Sequence, residues 1–180
     1  MKIILVRHGE TESNYKDLCQ GISNILLNDT GRRQSQKLRE EIKNKKFDVC
    51  YTSPLVRAVE TAMILIGDRV EMIPERKLID RNLGKLEGKS REMYDAKKYW
   101  DYKLNCNDLG VEPVQDIFKR CKEFLDYVFE KHAGQNVLIV AHAATIRAIR
   151  HILLGSNLEK TILHDNIKNC YYEEIEVKDK

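Results

Sequence analysis

Ile3-Ile4-Leu5-Val6-Arg7-His8-Gly9-Glu10 is the stretch from which the rest of the chain is read. Four consecutive aliphatic residues with no polar interruption predict a strand buried on both faces. An arginine and a histidine just past the carboxyl end of such a strand stand where α/β sheets hold their ligands. A guanidinium offers a rigid fork for phosphate oxygens, and a neutral imidazole offers a nucleophile. Gly9 lets the backbone turn sharply and approach a ligand closely. The polar stretch Thr11-Glu12-Ser13-Asn14 follows.

Two further junctions repeat the pattern. Asn136-Val137-Leu138-Ile139-Val140-Ala141 ends at His142 and runs into an amphipathic segment, Ala143 to Leu154. Val49-Cys50-Tyr51-Thr52-Ser53-Pro54 runs into Leu55-Val56-Arg57-Ala58-Val59-Glu60-Thr61-Ala62. Three strand-to-helix junctions thus present Arg7 and His8, Arg57, and His142. Two imidazoles and two guanidiniums at strand ends suit convergence on one dianion.

Between these junctions, strands alternate with helices. Helices are predicted over 31–44, with Thr30 as N-cap, and over 54–66, with Pro54 in the first turn. A helical stripe from Val114 to Val128 follows Pro113. Further strands are predicted over 48–52 and 70–73 and at an edge near Tyr171–Val177. This alternation predicts an α/β fold, a three-layer α/β/α sandwich with a mostly parallel central sheet. The length predicts one domain, 1–180. Residues 85–112 break the alternation. They carry Tyr94, Tyr99, Trp100 and Tyr102 among Lys89, Arg91, Lys97, Lys98 and Lys103, and read as a small cap insertion over the site.

The composition excludes several classes. A net charge of +3 does not suggest a nucleic-acid binder. The basic residues from Arg32 to Lys46 are interrupted by Glu40 and Glu41 and read as a solvated helix face. No apolar run approaches the roughly 20 residues that span a bilayer. The start lacks a signal-peptide pattern, so a cytoplasmic location is expected. The five cysteines, 19, 50, 106, 121 and 170, are scattered, which argues against a disulfide framework. The histidines lack metal-ligand spacing, so neither a metal nor another cofactor is expected. His132, His151 and His164 read as surface or helix residues. The final strand would support edge pairing into a homodimer.

The ordered blocks RHGETESN at 7–14, QG at 20–21, LNDTGRRQS at 27–35, TSPLVRAVETA at 52–62, LGKLEG at 83–88 and VAHAATIRA at 140–148 resemble the histidine phosphatase superfamily, also called the phosphoglycerate mutase-like family. The resemblance covers Met1 to about Leu154. It implies that His8 is a nucleophile forming an N-phosphohistidine, which water hydrolyses. One ring nitrogen must then face phosphorus while the other donates to a backbone carbonyl. It implies that Arg7, Arg57 and His142 stabilise the transferring group, with Asn14, Gln20, Gly21 and the backbone N–H of Ala143 binding substrate.

The family's acidic residue, usually glutamate, falls on Asp80 here, with water, Glu87 and Glu112 as substitutes for the general acid. Ala143-Ala144 replaces glycines common in the family. The compact cap resembles small phosphatases, among them α-ribazole phosphatases and broad-specificity phosphomonoesterases. The implied activity is hydrolysis of a small phosphorylated metabolite. The alternatives are a cofactor-dependent phosphoglycerate mutase and a catalytically weak phosphate-binding regulatory module.

Overall fold

A computed structural model describes residues 1–158 and 167–177. Along the chain run β1 (Lys2–Arg7), a one-turn α1 (Glu12–Tyr15), α2 (Asp29–Glu41), β2 (Val49–Thr52), α3 (Val56–Ile66), β3 (Met72–Pro74), a one-turn α4 (Ala96–Tyr99), α5 (Val114–Lys131), β4 (Asn136–Ala141), α6 (Ala143–Leu153) and β5 (Tyr172–Glu176). The five strands lie in the order β3-β2-β4-β1-β5. Four are parallel, and β5 pairs antiparallel to β1 at the edge.

The aliphatic runs follow from the layers. Ile3, Leu5, Val137 and Ile139 pack against α5 and α6, through residues such as Phe124, Leu125, Ile146 and Ile149. Their neighbours Ile4, Val6, Leu138 and Val140 pack against α2 and α3, through Leu38, Ala58, Ala62 and Leu65. With helices on both faces, neither side of β1 or β4 tolerates a polar residue. Each such buried side chain contributes about 1.5–3 kcal/mol through burial.

Several element boundaries differ from the expectations. Asn28, not Thr30, caps α2: its backbone is extended, and its Oδ1 accepts from Gly31 N at 2.8 Å. The asparagine carbonyl reaches the first free N–H groups and starts the helix two residues early. α3 begins at Val56, because Leu55 is still extended and its N–H donates to Ser53 Oγ. β3 starts at Met72 rather than Val70. His132 is buried at the end of α5, between Tyr51 Oη at 2.8 Å and Gln135 Oε1 at 2.6 Å, which corrects its surface reading. His164 lies outside the described residues. No helix among the described residues is long and apolar enough to cross a membrane.

The segment between β3 and α5 forms a small core of its own, Leu86, Tyr99, Cys106 and Val111. Tyr94 stacks on Tyr99 with ring centroids 5.1 Å apart. Trp100 instead joins the main core. Its aromatics are therefore packed, and only some of them reach the pocket described next.

Candidate active site

Strand register builds the site. Arg7 pairs with Ala141, and Thr52 pairs with Val140, so the next residues of three strands stand side by side. These are His8, His142 and Ser53. His8 N donates to Ala141 O at 3.0 Å, and Ser53 N donates to Val140 O at 3.0 Å. The two imidazoles lie with centroids 5.1 Å apart.

His8 Nδ1 lies 2.7 Å from its neighbour's carbonyl, Gly9 O. A carbonyl only accepts, so Nδ1 carries the proton and Nε2 keeps its lone pair. Among the described residues no group hydrogen-bonds Nε2. Burial, then the charges of Arg7 and Arg57, hold the His8 pKa well below the ordinary histidine range. The ring is therefore neutral at physiological pH.

The loop after His8 is clamped by α3 and by the start of α2. Gly9 N donates to Thr61 Oγ1 at 3.0 Å. Asn28 N donates to Glu10 O, and Asn28 Nδ2 donates to Glu10 Oε1. A Cβ on Gly31 would stand 2.1 Å from Glu10 O, and one on Gly9 would stand 2.5 Å from Gly31 O. Two backbones cross here at a distance only glycine allows. This contact links the RHGE and LNDTG blocks.

Arg57 is fully buried. Its Nη1 donates to Ser23 O at 2.7 Å, and its Nη2 donates to Gly21 O at 2.8 Å and Asp80 Oδ2 at 3.2 Å. Its Nε donates to His142 Nδ1 at 3.2 Å. Because arginine is donor-only, His142 Nδ1 must be the acceptor. Nε2 then carries the proton and donates to Ser53 Oγ at 2.7 Å. Burial, followed by Arg57, His8 and Arg7, lowers the His142 pKa well below the usual range. Arg57 and His142 thus lie behind the pocket wall, whereas Arg7 and His8 line it.

Arg7 donates through Nη1 to Ile167 O at 2.7 Å, while its buried Nε has no hydrogen-bond partner. Burial lowers its pKa to about 10, which leaves it charged at neutral pH. A charged, incompletely satisfied guanidinium beside a neutral imidazole is chemically suited to an anion.

Of the three acidic candidates, only Asp80 lines the pocket. Its pKa is raised by burial, against the opposing pull of Arg57, the Arg81 N–H and Arg7. Glu87 instead accepts from Ile22 N, Leu83 N and Ser23 Oγ. Glu112 makes a two-pronged pair with Arg120 at 2.8 and 3.1 Å. Both are committed to holding loops together.

Asn14, Gln20, Gly21 and Ala143 all line the same pocket, of about 360 Å³. Gln20 Oε1 accepts from Thr11 Oγ1 at 2.8 Å. Gly21 has φ +55°, and a Cβ there would stand 2.0 Å from Glu87 Oε1, so both conformation and space require glycine. Ala143 opens α6 without positive φ, so the alanines in place of glycines are unstrained. The first N–H groups of α6 end at the pocket.

The pocket also includes residues the sequence reading did not assign to substrate: Arg81, Arg147, Cys19 and Asn169. Arg81 and Arg147 each place a guanidinium near the Trp100 ring, at 4.9 and 4.7 Å. Arg147 had a usable signal, since it lies one helical turn past Ala143 on α6. Of the basic residues noted in 85–112, only Arg91 reaches the pocket, joined there by Tyr94 and Trp100.

A mostly parallel α/β sheet thus gathers two histidines, an incompletely satisfied arginine and a largely buried acid at its carboxyl edge. Residues 3–180 match the model of the histidine phosphatase superfamily (branch 1). The chain belongs to this superfamily, and with it to the phosphatases, enzymes of the hydrolase class. It is 32% identical to phosphoglycerate mutase-like protein 4 of Arabidopsis thaliana, over 82% of this chain and 69% of that protein. It is 32% identical to phosphoserine phosphatase 1 of Hydrogenobacter thermophilus, over 89% of this chain and 79% of the relative. The solved structure of the α-ribazole phosphatase from Shigella flexneri superposes with a TM-score of 0.84 at 25% identity, covering 99% of this chain and 91% of the other.

Proposed function

We propose that this chain is a phosphomonoesterase that hydrolyses a small phosphorylated metabolite through an N-phosphohistidine on His8. The observation that carries the reading is the His8 Nδ1 to Gly9 O hydrogen bond, which leaves the Nε2 lone pair of a neutral imidazole at the pocket. Nε2 attacks phosphorus, and the bond from phosphorus to the ester oxygen breaks. Asp80, protonated, gives its proton to the departing alkoxide. Water then attacks the phosphohistidine, Asp80 takes its proton, and phosphate leaves with Nε2 restored.

Arg7 and the α6 N-terminus meet the phosphoryl oxygens. Arg57 acts from behind the wall, holding Asp80 through Nη2 and His142 through Nε. The segment 85–112 acts as a cap, contributing Arg91, Tyr94 and Trp100 to the far wall. Its size and charge suit a compact anion rather than a macromolecule.

The test is release of phosphate from p-nitrophenyl phosphate in the presence of chelator, for the native chain and His8→Ala. The expected result is chelator-resistant turnover that His8→Ala loses by at least about a thousandfold, as removal of a nucleophile does. Undiminished turnover in His8→Ala would remove the covalent mechanism. Turnover only as transfer between 3-phosphoglycerate and its bisphosphate would assign the mutase instead.

A further inference from the structure

Asn169 stands just before β5, far along the chain from the nucleophile, yet it touches the nucleophile's own backbone. Its Nδ2 donates to His8 O at 3.2 Å and to Asn14 Oδ1 at 3.1 Å. The orientation of both amides is dictated by groups with a single role. His8 O only accepts, so the Asn169 atom facing it is the NH₂. Thr11 N only donates, at 3.2 Å, so the Asn14 atom facing it is the oxygen. With its oxygen held by Thr11 and Asn169, Asn14 must carry its NH₂ on the opposite side of the amide. That NH₂ makes no hydrogen bond among the described residues, and Asn14 lines the pocket.

The rest of the same loop grips the same strand end. Ile167 O accepts from Arg7 Nη1, Cys170 N donates to His8 O at 3.3 Å, and Tyr171 O accepts from Arg7 N at 3.1 Å.

We infer that Asn169 is a positioning residue: it orients the Asn14 amide so that its NH₂ serves as a donor to the transferring phosphoryl group, and it fixes the backbone of His8. The inference rests on the phosphohistidine reading above. Loss of Asn169 lets the Asn14 amide rotate and present its oxygen to the anion. An aspartate at 169 is worse, because an acceptor-only carboxylate then faces two oxygens and adds negative charge beside the phosphate site.

The experiment measures kcat and KM for p-nitrophenyl phosphate, and inhibition by orthovanadate, in native protein, N169A, N169D, N14A and the N14A/N169A double variant. Thermal midpoints are recorded alongside. N169A is expected to lower kcat/KM and vanadate affinity together by about tenfold, the scale of one lost oriented donor. In the N14A background the same change is expected to cost only about two- to threefold, because the two residues act through one another. N169D is expected to fall below N169A.

Activity of N169A within twofold of native, or an equal fold-loss with and without Asn14, would overturn the inference. If N169A does not fold, N169D and an N14A/N169D double variant decide by the same criteria. His8→Ala assayed in the same series reports on the phosphohistidine reading separately: if it retains native turnover, both readings fall. If it is inactive while N169A is native-like, only the Asn169 inference falls.

Discussion

Asp80 and His8 have pKa values moved toward each other, and the consequence is a pH profile. A lowered His8 pKa keeps the imidazole neutral as pH falls below the ordinary histidine value of 6.5. A raised Asp80 pKa keeps the carboxyl protonated above its ordinary 3.8. Both shifts widen the range in which a neutral His8 and a protonated Asp80 coexist, so kcat/KM is expected to peak on the acid side of neutrality. It falls at lower pH as His8 protonates and at higher pH as Asp80 ionises. An alkaline optimum in a pH–rate profile would contradict these assignments.

Asp80→Asn is expected to lower turnover of alkyl phosphates by roughly a hundredfold or more, while aryl phosphates, whose leaving groups need no proton, lose far less. Equal losses on both substrates would show that Asp80 is not the acid. The family resemblance already pointed to Asp80 as a candidate. It did not separate Asp80 from Glu87 and Glu112, because the ties of those two carboxylates to Ile22, Ser23 and Arg120 are contacts between distant segments.

At the scale of elements, the crossing of the β1–α1 loop and α2 is the most demanding contact. Gly31→Ala places a methyl group against the Glu10 carbonyl, and relief requires backbone movement at Gly9 and His8. The expected result is a loss of about 1–3 kcal/mol in stability, typical of overpacking, together with reduced kcat. Chemical denaturation and steady-state kinetics on one preparation check both. Native stability in this variant would mean that the two backbones separate at little cost.

Removal of the α2 cap, Asn28→Ala, is expected to cost about 0.5–2 kcal/mol and also to loosen Glu10, which Asn28 holds through N and Nδ2. Helix periodicity located α2 but placed its cap at Thr30. Both residue types cap helices, and the choice went to the residue already anchored to the neighbouring loop.

For the whole molecule, two buried neutral histidines set the acid limit of stability. His8 and His142 have folded pKa values well below their unfolded value of 6.5. Their contribution is present above pH 6.5 and is lost as pH falls from there toward the folded values, because the unfolded chain takes up the protons first. Each histidine removes up to about 1.4 kcal/mol per pH unit in that window. Asp80, with its raised pKa, has the opposite sign, but its relief comes only as pH falls through its folded value. The expected result is a fall in thermal midpoint between pH 7 and 5 that His142→Asn reduces. A midpoint independent of pH over that range would contradict it. Bound phosphate should oppose the fall by ligand linkage.

The layered α/β architecture and the three strand-end junctions carrying Arg7, His8, Arg57 and His142 were legible in the sequence alone, and the family resemblance added Asp80 as a candidate. They are local: strand burial on both faces demands unbroken aliphatic runs, and the residues after those runs fall at the carboxyl edge. Only the tertiary structure decided which nitrogen of each histidine carries a proton, that Arg57 and His142 lie behind the wall while Arg7 faces the pocket, and that Asn169 reaches back to His8. These depend on strand register and on loops meeting across long sequence separations. A hydrogen-bond partner 161 residues away leaves no periodic trace in the chain.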